Sequence, residues 1–342
     1  MAQSPTMNDV ARVAHVALKT VSRYVNGQTN INPELSGRIA SAIEELGYRR
    51  NLAAAGLRPG QKTKTLGLII SDLANPYYSA LTRAIETYAS ARGYLLFSAS
   101  SDEDGPRHDE LVDRMMQQQV DGLLIVPPRL PSRDWKNIRP PVPPIVFLDR
   151  PVHFEGSVSI LADNAGGAFD ATKVLIKEGA ARIAFVGDDL TLYTMHERYR
   201  GYQAALRDHK IALDEELVFT QAHSSEDAAA AVRQLLHDAS VDAIFAANNR
   251  AAIGALIAFS DMGRRVRLIG FDDFEAALLS DPQVSVVSHD VSLEGAMAAR
   301  LLIDSFSEGT GVDRPLHGDS LVTLPTIITL RGSERLLPLP KT

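Results

Sequence analysis

From Leu66 onward, short apolar runs alternate with amphipathic stretches, and that alternation leaves few folds open. Residues 66–71, 94–99, 121–126, 145–149, 182–186, 241–246 and 267–271 read as buried parallel strands. Between them, Tyr77, Leu81, Ile85 and Tyr88 form a helical stripe ended by Gly93. Phe169 to Ile176 belong to another, ended by Gly179. At 342 residues the chain exceeds one ordinary core, so the pattern predicts two doubly wound α/β sheets side by side.

The N-terminal stretch has a different texture. Up to Lys64 there are nine Lys and Arg against four Asp and Glu, a net of +5 on a chain of −7, which leaves −12 for the rest. A basic head on an acidic body suggests that one part meets a polyanion. Thr6 and Asp9 fit a helix-start capping pattern, and Met7, Val10, Ala11 and Ala14 recur at helical spacing. After a break at 15–17, Leu18, Val21 and Val25 form a second apolar stripe, with Lys19, Ser22, Arg23 and Asn26 on the opposite side. Asn26-Gly27 stops that helix, and Asn32-Pro33 opens a third. Its inward residues are Leu35, Ile39, Ile43 and Leu46, and Gly47 ends it. Three short helices, the second exposing donors and no acids, match a helix-turn-helix whose second helix enters the major groove of DNA. The alternative is a three-helix bundle that binds protein; the charge of the second helix argues against it.

The runs Met7-Asn8-Asp9-Val10-Ala11-Arg12, Lys19-Thr20-Val21-Ser22-Arg23-Tyr24-Val25-Asn26-Gly27 and Ile43-Glu44-Glu45-Leu46-Gly47-Tyr48-Arg49-Arg50-Asn51 resemble the DNA-binding head of the lactose-repressor (LacI) family of bacterial transcription regulators. The likeness continues to Leu324-Pro325-Thr326 and Leu330-Arg331-Gly332-Ser333. It implies an α/β protein: a helix-turn-helix head at 1–50, a hinge helix and linker at 51–64, and a two-lobed, type I periplasmic-binding-protein-like core at 65–342. The N-lobe would hold about 65–162 and 290–324, the C-lobe 163–289 and 325–342, with crossovers near Asp163, Asp290 and Pro325. In that family the first two residues of the recognition helix choose operator bases, which here are Leu18 and Lys19. Thr6, Thr20, Ser22, Arg23, Asn26 and Asn51 would join them on DNA, mostly at phosphates. The hinge folds only on DNA and wedges a leucine into the minor groove, the place Leu57 takes. The family usually has Gly where His15 stands, so a positive φ there would strain His15 modestly.

Ligands of open α/β sheets bind beyond the carboxyl ends of strands, and in a two-lobed molecule that is the cleft. Ser71, Asp72, Asp149, Arg150, Asn248, Asp272 and Asp273 end strands and suit hydroxyl-rich ligands; Tyr77 or Tyr78 could stack on a sugar face. By resemblance, Arg198, Asn248 and Asp272 fall on effector-binding positions, and His223 and His289 on further cleft positions. Asn249 departs from the family's usual Asp.

Enzymes find little here. There is no GxGxxG after a strand, no P-loop, no GxSxG and no HExxH, and Cys is absent. No cofactor or metal is expected. The N-terminus lacks a signal-peptide pattern and no apolar run is long enough for a membrane span, so a cytoplasmic protein is expected. The resulting expectation is an effector-responsive transcription regulator, most often a repressor in this family. It would grip a palindromic double-stranded DNA operator as a homodimer and respond to a sugar or sugar derivative. A nucleobase-responsive regulator and a transport-type solute-binding protein are the alternatives. The C-terminal Leu336-Leu337-Pro338-Leu339-Pro340 lacks heptads, which argues against a tetramerising coiled coil.

Overall fold

Thr6 and Asp9 close a reciprocal capping box that starts helix α1 (Met7–Val13). The computed structural model describes residues 5–49, 62–238, 241–306 and 320–335, and the chain divides into two units, Met1–Thr63 and Lys64–Thr342. The expected hinge, with Asn51 and Leu57, and the C-terminal leucine–proline run lie outside the described residues.

In the first unit, α1 packs with α2 (Leu18–Val25) and α3 (Pro33–Leu46) around buried Val10, Ala14, Val21, Ile39 and Ala42. Asn32 caps α3 and Gly47 ends it at φ 60°. The turn between α1 and α2 does require a left-handed residue: His15 has φ 51°. Arg38 of α3 braces that turn, donating to the carbonyls of Ala14 at 2.6 Å and His15 at 2.9 Å. One expectation is corrected. Leu18 is not part of the apolar stripe: it opens α2, is 45% exposed and lies outside the core cluster that Val21 joins.

The second unit contains two six-stranded sheets. The first runs in the order β11-β5-β4-β3-β1-β2, all parallel, from β1 (Thr65–Ile70), β2 (Leu95–Ser100), β3 (Gly122–Ile125), β4 (Ile145–Leu148), β5 (Val158–Ala162) and β11 (Ser320–Leu324). Helices α4 (Pro76–Ser90) and α5 (Gly105–Gln117) belong to this lobe. The second sheet runs β12-β10-β9-β8-β6-β7, from β6 (Ile183–Val186), β7 (Val218–Phe219), β8 (Ala243–Ala246), β9 (Arg267–Phe271), β10 (Ser285–Ser288) and β12 (Ile327–Thr329). Only β12 is antiparallel to its neighbour. Around it lie α6 (Asn164–Lys177), α7 (Tyr193–Asp208), α8 (Ser225–Asp238) and α9 (Asn249–Met262).

The chain passes between lobes three times: from β5 to α6, from β10 to α10 (Val291–Asp304), and from β11 to β12. α10 returns to the first lobe, where Ala298, Ala299 and Leu302 join its core. Asp163 and Asp290 start the helices after the first two passages, capping the amides of Gly166 and Leu293 at 2.9 Å each. All seven expected strand segments contain a strand; β2 departs in burial, since it is an edge strand with Leu95 58% and Phe97 43% exposed.

Candidate functional site

The carboxyl ends of both sheets meet at one cleft of about 250 Å³. Ser71 and Asp72 reach it from β1, Asp149 and Arg150 from β4, Asp188 from β6, Asn248 from β8 and Asp272 from β9. These strands carry polar residues just past their last buried apolar residue, where the backbone has left the sheet and water or a ligand is available as partner.

Two arginines organise the floor. Arg198, on α7, is buried over the Phe271 ring at 3.6 Å. It donates to Asn164 Oδ1 at 2.8 Å, to the Ala247 carbonyl at 2.7 Å, and to both carboxylate oxygens of Asp272 at 3.1 and 3.3 Å. Arg150 is held in the same way by both oxygens of Glu103, at 2.8 and 2.6 Å, and by the Pro127 carbonyl at 2.6 Å. Burial pushes the Glu103 carboxyl up, but the hydrogen bond and charge of Arg150, with Ser71 and the Arg129 amide, outweigh it and hold it below its ordinary value. Asp149 goes the other way. Its burial raises the carboxyl above the usual range despite the charges of Arg150 and Arg198, and Tyr78 donates to it at 3.1 Å.

Further contacts join the two lobes across the cleft. Arg129, after β3, donates to both oxygens of Asp188 at 3.1 Å. The same carboxylate meets His223 Nδ1 at 2.5 Å. Arg250 of α9 pairs with Asp72, and Asn249 donates to Asn75 Oδ1 at 2.8 Å. Asn249 thus bridges the lobes at a position where the resemblance leads one to expect Asp.

Of the residues expected at the effector site, Tyr77, Asp149, Arg198, His223, Asn248 and Asp272 line this cleft. Asn248 also caps α9, accepting from the Ala251 amide at 2.8 Å. His289 is not among the lining residues. It is buried behind Tyr77, with Nε2 2.7 Å from Glu294 Oε2, and the Tyr77 hydroxyl donates to that same oxygen at 3.0 Å. Burial raises the Glu294 carboxyl, while the Glu294 partner lifts His289 against the opposing effect of its own burial. Asp273 turns away from the cleft to Arg331, at 2.6 Å.

Sequence reasoning missed Glu103, Arg129, Asp188 and Arg250. Asp188 was within reach, since it follows β6 much as Asp72 follows β1. Arg129 and Glu103 sit in loops whose approach to the cleft carries no periodic signal.

In the head, Lys19 is exposed on α2, and Ser22 lies within reach of Asn26 Nδ2 at 3.4 Å. Arg23 donates to Gln28 Oε1 at 2.8 Å and Asn30 Oδ1 at 2.7 Å, so part of its donor set is already engaged within the head. Thr6 acts as the cap of α1.

A family model described as "Bacterial regulatory proteins, lacI family" matches residues 6–51, and one described as "Periplasmic binding protein-like domain" matches 172–333. The catabolite control protein A of Staphylococcus xylosus is 32% identical over 334 residues, 96% of this chain and 99% of that protein. The chain belongs to the lacI family of bacterial regulatory proteins. The ribose operon repressor of Escherichia coli (strain K12), another relative, is 31% identical over 337 residues, 96% of this chain and 99% of its own. Among solved structures, a complex of the transcriptional regulator CelR with cellobiose is 29% identical, covers 96% of this chain and 99% of its own, and superposes with a TM-score of 0.66. As a lacI-family regulator, the chain joins a DNA-binding helix-turn-helix head to a two-lobed core. Among the described residues no helix is long and apolar enough to cross a membrane, and no group of three or more His, Asp or Glu is placed to hold a metal.

Proposed function

We propose that this lacI-family regulator binds a two-fold DNA operator as a homodimer, represses transcription from it, and changes its grip when a small sugar-like molecule enters the cleft. One helix-turn-helix reads half a site, so a dimer matches a palindrome. Leu18 and Lys19 would read bases, with Thr6, Thr20, Ser22, Arg23, Asn26, Asn51 and Leu57 also on DNA. Tyr77, Asp149, Arg198, His223, Asn248 and Asp272 would contact the effector, and His289 would support Tyr77 through Glu294. The head at 1–50, the hinge at 51–64 and the two lobes act as separate parts. The protein works by binding rather than catalysis, in the cytoplasm where its operator lies.

The observation that carries this reading is the polar cleft between lobes, bridged by Arg129–Asp188 and Arg250–Asp72. A ligand held there touches both lobes and so biases their orientation, which is the means of coupling to DNA. The cellobiose complex and the ribose operon repressor support a sugar as effector. The test is a gel shift of the full chain on its own promoter region, with and without ribose, glucose and cellobiose. A sequence-selective shift that a sugar alters supports the reading; a shift indifferent to every sugar counts against it.

A further inference from the structure

The cleft is crowded with charge, yet its cations are already committed. Six carboxylates and four guanidinium groups line it; Asp102 is paired with Arg107 outside the lining, and Asp149, 3.4 Å from Arg150 Nε, shares that arginine with Glu103. Each guanidinium has its own carboxylate: Arg129 with Asp188, Arg150 with Glu103, Arg198 with Asp272 and Arg250 with Asp72. Two of the four pairs, Arg150–Glu103 and Arg198–Asp272, are two-pronged, the geometry that would otherwise fit a phosphate, and Arg129 meets both Asp188 oxygens through one nitrogen.

The other usual anion receptors, amides at helix starts, are largely taken as well. Asn75 caps the amide of Tyr77 at 3.0 Å, Asp104 that of Arg107 at 2.7 Å and Asn248 that of Ala251 at 2.8 Å. α7 begins without a side-chain cap, and Leu192, Thr194 and Met195 at its start line the cleft. That single helix start leaves its amides open to a ligand oxygen. The lining therefore offers mainly acceptors, led by Asp149 and Asp272, to a ligand that brings its own hydroxyl donors.

We infer that the effector is an uncharged polyhydroxylated molecule, a free sugar or glycoside, and that the cleft discriminates against phosphorylated and carboxylated sugars. This rests on the proposal that the cleft is the effector site and narrows its ligand class.

The test is titration calorimetry of the full chain with ribose, glucose and cellobiose, then with ribose 5-phosphate, glucose 6-phosphate and inorganic phosphate. A free sugar is expected to bind, and its phosphate ester at least about tenfold more weakly. Asp188→Asn, which takes the charged partner from Arg129, should narrow that ratio, and Asp72→Asn should do so through Arg250 if the first variant folds poorly. An ester binding as tightly as its parent sugar overturns the inference while leaving the sugar-responsive reading intact, as does a ratio unmoved in both variants. Binding of neither class would remove the sugar reading itself, and this inference with it.

Discussion

Asp149 and Asp272 leave the carboxyl ends of β4 and β9 with the same left-handed φ of 67°, and both line the cleft. A non-glycine residue in that region costs on the order of 1 kcal/mol, and Asp tolerates it better than most. The same strained turn at corresponding strand ends shows that the two lobes repeat one plan, down to the carboxylate each contributes. The lobes then use it differently. Asp272 is paired in a fork with Arg198, whereas Asp149 takes the Tyr78 hydroxyl and its carboxyl is raised by burial.

That difference sets a pH dependence for effector binding. The Asp149 carboxyl lies above its ordinary value because it is buried. A ligand hydroxyl donating to it favours the ionised form, so binding expels a proton wherever Asp149 is protonated. Effector affinity should therefore fall as pH drops through the raised pKa, and calorimetry from about pH 8 to about pH 4 checks it. Asp149→Asn should flatten the profile.

Arg198 is expected to matter for both stability and response. Arg198→Ala leaves the Asp272 carboxylate, Asn164 and the Ala247 carbonyl without their donor in a buried place, a loss of about 3–5 kcal/mol. The variant should unfold at lower urea and no longer alter DNA binding when sugar is added, while the head still binds DNA. Arg198→Lys keeps the charge but not the fork; it should be more stable than Arg198→Ala and still unresponsive.

Glu103 gives the acid limb of stability. Its carboxyl is held below 4.5 in the folded state, chiefly by Arg150 acting against burial. A depressed carboxylate adds stability above its unfolded pKa and loses it as pH falls through the folded one. Resistance to urea should weaken below about pH 4.5, and less steeply in Glu103→Gln. Asp149 and Glu294, both raised by burial, act with the opposite sign and regain protons with relief as pH drops.

Leu57→Ala tests the hinge. Removing an apolar wedge should weaken operator binding about tenfold or more and leave sugar affinity unchanged. Equal loss in both measurements would refute the hinge assignment.

The parallel strands were legible because buried strands of α/β sheets read as continuous apolar runs, as at β1, β3, β4 and β9. β7 has only two residues and β12 is a half-exposed, antiparallel edge, so neither leaves such a run. In the site, strand-end residues such as Asp149 and Asp272 could be placed from the chain alone, since the strand fixes where its last side chain points. Arg129 and Glu103 could not, because loops bring them in. His289 follows β10, but the turn into α10 brings it to Glu294 and out of the cleft lining.

The central claim joins a DNA-gripping head to a sugar-reading cleft, and one titration addresses both. Fluorescence anisotropy of the full chain on labelled promoter DNA, at two salt concentrations and with ribose, glucose or cellobiose, should give tight, salt-sensitive, sequence-selective binding. One of these sugars should then shift the affinity at least about fivefold. Binding that ignored sequence, or an affinity identical with every sugar, would contradict it.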